Sequence, residues 1–245
     1  MVFLPHILRS PIVALLGENC TVTLIDNLNL FEPVCFRYAL SKALGLAIVL
    51  GGCIVKLPQI YNLISSKSAR GLSLTSFLLE TVANIVNIAY SLRNHFPFTT
   101  FGESMFIGIQ NYFISIIIMI LNGQELLGMF TGGFLVVVAY LLNDSSWTSE
   151  TLLSTLQALT IPLLISSRIP QILKIHKEKT TGQLSSFSVF NYFLGSAARI
   201  FTTFVEVDNK LVLLGYSLSL ITNAILAAQM IYYWNSQAPK KLKKS

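Results

Sequence analysis

Lys56-Leu57-Pro58-Gln59-Ile60 closes one apolar stretch of this chain, and Arg168-Ile169-Pro170-Gln171-Ile172 closes another 112 residues later. The same offset carries Leu72-Ser73 onto Leu184-Ser185 and Asn111 onto Asn223, with no gap between them. Self-similarity over about 80 residues of mostly apolar sequence reads as a duplicated supersecondary unit. The fold expected from it is an all-α membrane protein made of two like helical bundles.

Composition agrees. Of 245 residues, 53% are hydrophobic and 11% charged, and the mean hydropathy is +0.65. A soluble domain carries about 25% charged residues, so this chain has too few to cover a water-facing surface. A helix needs about 20 apolar residues to cross a bilayer. Seven stretches qualify: 39–57, 73–92, 101–121, 126–142, 151–171, 186–205 and 211–234. The fourth has no counterpart in the repeat. The expected organisation is an interfacial segment 1–38, a first three-helix repeat 39–122, a linker helix 123–143, a second three-helix repeat 151–235 and a basic tail 236–245. An odd linker makes both triplets enter the membrane from the same side, so the repeats are parallel, related by an axis along the membrane normal.

Basic residues set the expected orientation. Lys67, Arg70, Lys174, Lys177, Lys179, Lys240, Lys241, Lys243 and Lys244 fall on one side of the predicted spans. Arg9, Arg37, Arg93 and Lys210 fall on the other, together with most of the acids. The positive-inside rule places the first set in the cytosol. The N-terminus is then lumenal or external, and two glycosylation sequons, Asn19-Cys20-Thr21 and Asn143-Asp144-Ser145, lie on that side. The apolar run Ile12–Leu16 is too short for a signal-peptide core. Cys20 and Cys35 both precede the first strong span and can pair if their compartment is oxidising, while Cys53 reads as a small packing residue. No cysteine or histidine spacing suggests a metal site.

The polar residues inside the spans are the candidates for function. Glu80, Asn84, Asn87 and Ser91 are spaced to share one helical face. Their counterparts 112 residues on are Tyr192, Ser196, Arg199 and Thr203, and spans three and seven add Asn111 and Asn223. Interhelical hydrogen bonding accounts for Ser and Thr at such places. A charge in the hydrocarbon costs about 2.5–3.5 kcal/mol on insertion scales and calls for a partner or a wet cavity. Two readings follow: a polar central cavity lined by Glu80, Asn84, Asn87, Asn111, Ser196, Arg199 and Asn223, or a structural Glu80–Arg199 ion pair. Lys56 and Arg168, two residues before each Pro-Gln, either snorkel to lipid phosphates or hold an anionic head group. Pro58 and Pro170 each remove a helix donor and free the carbonyl four residues back. The amides of Gln59 and Gln171 are placed to satisfy those carbonyls, and the two Pro-Gln pairs are either static kinks or a matched pair of hinges. The tail Lys240–Ser245 suits anionic lipid and also has the spacing of a dilysine retrieval signal. No GxSxG, HExxH or phosphate-loop signature is present.

The duplicated Pro-Gln, followed by a basic turn and Leu-Ser, resembles the PQ-loop repeat family, relatives of the SWEET sugar carriers. Narrower stretches are similar to the branch of that family required for mannose-P-dolichol utilization: Gly45-Leu-Ala-Ile-Val49, Val55-Lys-Leu-Pro-Gln59, Lys67-Ser-Ala-Arg-Gly-Leu-Ser73, Asn94-His-Phe-Pro-Phe98, Thr181-Gly-Gln-Leu-Ser185, Ala198-Arg-Ile-Phe-Thr202 and Ala227–Asn235. The resemblance implies a non-enzymatic protein of the endoplasmic reticulum membrane with no cofactor. Its partners would be dolichyl-phosphate-linked mannose and glucose, membrane lipid and the glycosyltransferases of N-glycan, O-mannose and GPI-anchor assembly, with no nucleic acid. It also implies that Asn111 and Asn223 touch the sugar. Two rivals stand beside it: a carrier of a small soluble sugar or amino acid, and a scaffold that delivers the lipid donor to transferases.

Overall fold

The computed structural model describes residues 6–69, 72–179 and 186–234. Those residues form helices and turns and no strand. The basic tail, Arg70 and the Thr181–Ser185 stretch lie outside them. By contacts the chain divides into two compact units, residues 1–157 with 204–208 and residues 158–203 with 209–245.

The first unit begins with α1 (His6–Thr21) and a five-residue π-helical turn (Val22–Asp26). Within α1, Gly17 takes φ 77°, a conformation that only glycine adopts at little cost. Arg9 ties the segment together by pairing with Glu18 at 2.7 Å and Asp26 at 3.0 Å. A disulfide between Cys20 and Cys35 joins it to α2 (Pro33–Ile54). Residues 6–26 are thus a folded helical cap. Helix α2 starts before the predicted span 39–57: Glu32 accepts the Cys35 N–H at 2.6 Å, and Pro33 occupies the first turn, where its missing N–H costs nothing.

The chain breaks at Val55-Lys56 and restarts as α3 (Leu57–Ser66). Pro58 therefore lies in the first turn of a new helix, not inside a continuous one. Helices α4 (Leu74–Arg93), α5 (Phe98–Leu121) and α6 (Glu125–Asn143) complete the first unit's main body. Leu63, Phe77, Ile114 and Ile118 form its core, with Ile114 0% and Ile118 1% exposed. Between helices in lipid the hydrophobic effect contributes little, so close packing must hold them. Gly108 shows this: a Cβ there would sit 3.0 Å from Asn84 Cβ, so α4 and α5 meet almost backbone to backbone.

The second unit takes the later part of α7 (Glu150–Glu178), most of α8 (Ser186–Glu206) and α9 (Lys210–Tyr232). Its core is Ile175, Val189, Leu226, Ala227, Met230 and Tyr233. Here Pro170 does sit inside a continuous helix. The two Pro-Gln motifs are equivalent in sequence but not in backbone.

Seven spans are expected and a helix occupies each position, yet five segments are long and apolar enough to cross a membrane: Pro33–Ser66, Phe98–Leu121, Glu125–Asn143, Glu150–Glu178 and Lys210–Tyr232. The two helices outside that set are α4 and α8, the second of each triplet. They carry the polar stripes, and those side chains lower their mean hydropathy. The outer faces agree with a lipid surround. On α6 alone Leu126, Met129, Phe130, Phe134 and Tyr140 are each at least 64% exposed, an apolar surface that water would not tolerate.

Candidate functional site

In the first unit the polar stripe of α4 meets the Pro-Gln corner. Lys56 Nζ lies 3.3 Å from Glu80 Oε2 and 5.3 Å from the centre of the Phe77 ring. Glu80 thus has Lys56 as an ion-pair partner within its own unit. The Asn84 amide donates to the Glu80 carbonyl at 2.8 Å, and Ser91 donates to Asn87 Oδ1 at 3.2 Å. Asn111, on α5, is fully buried at 0% exposure, and neither end of its amide has a hydrogen-bond partner. Each such unmet group costs about 1–3 kcal/mol.

The second unit repeats the arrangement with different chemistry. Asn223 is 4% exposed, and its Nδ2 lies 3.2 Å from the Tyr192 carbonyl, 3.3 Å from Ser196 Oγ and 3.4 Å from Ser219 Oγ, while its Oδ1 is buried without a partner. Arg168 stacks over the Tyr192 ring, with Cζ 4.5 Å from its centre. Arg199 is buried at 4%. The counterparts of Tyr192, Ser196 and Ser219 in the first unit are Glu80, Asn84 and Ile107. The Glu80 carbonyl is already used by Asn84, and Ile107 offers no oxygen. Two of the three acceptors that serve Asn223 therefore have no free equivalent at Asn111.

Each unit therefore presents a buried amide on the third helix of its repeat, and in the second unit Tyr192 links that amide to the basic residue of the Pro-Gln corner. Amides with spare donor or acceptor capacity suit a hydroxyl-rich ligand. Among the described residues no three of His, Cys, Asp and Glu converge as a metal site would need.

A family model for the PQ-loop repeat matches this chain twice, over residues 40–100 and 152–212. The chain belongs to the PQ-loop repeat family. The two matches stand 112 residues apart, the offset of the internal repeat. The chain is also similar to solute carrier family 66 member 3 of Homo sapiens, at 26% identity over 185 residues, which is 75% of this chain and 90% of that protein. No solved structure matches it.

Two parts of this PQ-loop protein escape the sequence reading. The first is Gln110, which mends the break beside the first Pro-Gln. Its Oε1 accepts the Lys56 N–H at 3.0 Å, and its Nε2 donates to the Gly52 carbonyl at 2.7 Å. Gln59, expected to supply a bridging amide, makes no such contact. The second is a buried cluster on Glu206. Lys42 Nζ lies 2.7 Å from Glu206 Oε2, Thr99 donates to the same oxygen at 2.6 Å, and Ser41 donates to Oε1 at 2.6 Å. The Lys42 and Glu206 side chains are 7% and 1% exposed. The available signal was Lys42 itself, a charge inside the first predicted span, which must find a partner. Nothing in the linear sequence pairs it with a residue 164 positions away.

Proposed function

We propose that this protein handles a polyprenyl-phosphate sugar in the endoplasmic reticulum membrane, without chemistry of its own, and helps the head group cross or present itself at the bilayer. The substrate class is dolichyl-phosphate-linked mannose and glucose, as the narrower resemblance implies. The observation that carries the reading is the repeated buried amide, Asn111 and Asn223, each with unused hydrogen-bonding capacity inside a protein built for lipid. A sugar head group crosses hydrocarbon slowly because every uncompensated hydroxyl costs roughly 2–7 kcal/mol. Fixed amides lower that barrier by replacing water, and a basic side chain of the Pro-Gln corner answers the phosphate. The isoprenoid tail never needs to leave the lipid. The Cys20–Cys35 pair supports an N-terminal cap on the oxidising, lumenal side, and Pro58 and Pro170 with their glutamines, Gln59 and Gln171, stand where each unit can bend.

The test is reconstitution of the full chain in vesicles with a short-chain dolichyl-phosphate-mannose analogue, reading its transbilayer rate. The expected result is a rate well above that of empty vesicles, cut about tenfold by Asn111→Ala or Asn223→Ala. If the pure protein adds nothing to the rate, movement is discarded and delivery of the donor to glycosyltransferases replaces it. The similarity to a protein named as a solute carrier favours a second reading, transport of a small soluble sugar or amino acid. Uptake of labelled free solute that is lost in Glu80→Gln selects it.

A further inference from the structure

Lys56 and Arg168 are repeat-equivalent, and so are the residues each one touches. Glu80 stands 112 positions before Tyr192, as Lys56 does before Arg168. The two contacts are one contact made twice, with the partner exchanged. In the first unit the base meets a carboxylate at 3.3 Å; in the second it meets an aromatic face at 4.5 Å. An aromatic face attracts a cation but does not neutralise it. Among the described residues no carboxylate pairs with Arg168, whose recorded partner is the Tyr192 ring.

From this asymmetry we infer that Arg168 alone binds the ligand's anion, and that Glu80 closes Lys56 to anions by supplying its counter-charge from within the chain. The ligand group is then a phosphate carried by one cation. The inference deepens the lipid-linked sugar reading and rests on it.

Three observations support it. An aromatic ring accepts no N–H bond in the plane of the guanidinium fork, so Arg168 over the Tyr192 ring can still offer two N–H groups to two phosphate oxygens at once. Arg168 is half-buried, so an anion on it is only partly screened by water. Tyr192 also ties the base to the amide site: its ring lies under Arg168 while its carbonyl accepts from Asn223. One residue thus sets the spacing between a phosphate on Arg168 and a hydroxyl near Asn223. Around Lys56 an anion would instead meet the Glu80 carboxylate, and like charges at that distance repel.

Binding to the purified full chain in detergent, by titration calorimetry, tests the assignment with three probes: farnesyl phosphate, inorganic phosphate and uncharged farnesol. Farnesyl phosphate should bind once per chain. Arg168→Gln should weaken it about tenfold or more and leave farnesol unchanged, with Arg168→Lys intermediate. Tyr192→Glu writes the first unit's carboxylate into the second and should weaken binding about tenfold or more, as Arg168→Gln does. Glu80→Tyr performs the reverse exchange and should add a second site, because Lys56 is released. These two exchanges keep the test alive if Arg168→Gln fails to fold. The inference is overturned if Tyr192→Glu leaves farnesyl phosphate binding intact, if Arg168→Gln binds like the wild type, or if Glu80→Tyr adds no site. In each of these cases a wild type that still moves the dolichyl-phosphate-mannose analogue leaves the function reading standing. If binding depends on Arg168 but inorganic phosphate binds as tightly as farnesyl phosphate, the anion site stands and the lipid reading fails. A wild type that binds neither phosphate overturns the inference.

Discussion

Gln110 illustrates what one side chain does when a helix breaks in lipid. In an unbroken helix the Lys56 N–H would bond to the Gly52 carbonyl four residues back. The chain turns at Val55-Lys56 instead, and the Gln110 amide takes both groups, at 3.0 and 2.7 Å. Hydrocarbon offers no water to replace it. Gln110→Leu should therefore destabilise the protein by about 1–3 kcal/mol, seen as a lower thermal unfolding midpoint in detergent. Gln59→Leu, which removes no such bridge, should stay within about 0.5 kcal/mol of the wild type. Equal midpoints for the two variants would show that the break needs no bridging amide. The residue scale also holds the difference between the repeats: Glu80 against Tyr192 decides whether the neighbouring base meets a carboxylate or an aromatic ring.

Elements are joined by the Glu206 cluster. Glu206 is the last residue of α8, Ser41 and Lys42 belong to α2, and Thr99 belongs to the start of α5. Three donors on one carboxylate compensate a desolvation cost that an isolated buried ion could not bear. Truncating one partner leaves the other charged and unpaired. Lys42→Met alone and Glu206→Leu alone should each cost about 3–5 kcal/mol, whereas the double variant should recover most of that loss. A double-mutant cycle on unfolding midpoints reads the coupling, and simple additivity of the two losses would mean that the charges do not act as a pair. The same scale explains the span count. Helices α4 and α8 fall short of a lipid-spanning composition because they carry the polar residues that the units bury or pair.

For the molecule as a whole, the exposed apolar faces require lipid around it, and the N-terminal cap holds a disulfide. Cys20 and Cys35 are paired and Cys53 is free. The full chain isolated from its membrane and denatured without reductant should accept one maleimide label, and after reduction it should accept three. Three labels without reduction would show that the cap is not cross-linked and would remove the support it lends to a lumenal N-terminus.

Much of this was legible in the residues alone. The 112-residue offset, the apolar runs and the Pro-Gln pairs determined a duplicated helical membrane protein and its family, because local composition and spacing suffice for that. The sequence also pointed to Asn111 and Asn223, since a buried amide recurring in register is visible as text. What tertiary structure decided are the partners. That Glu80 answers Lys56, that Lys42 finds Glu206, that Gln110 rather than Gln59 mends the broken helix, and that Cys20 joins Cys35 all depend on which helix faces bring them within a few ångströms. Hydrogen bonds and ion pairs act over such distances regardless of separation along the chain, so a linear pattern names the groups that need partners but not the partners they find.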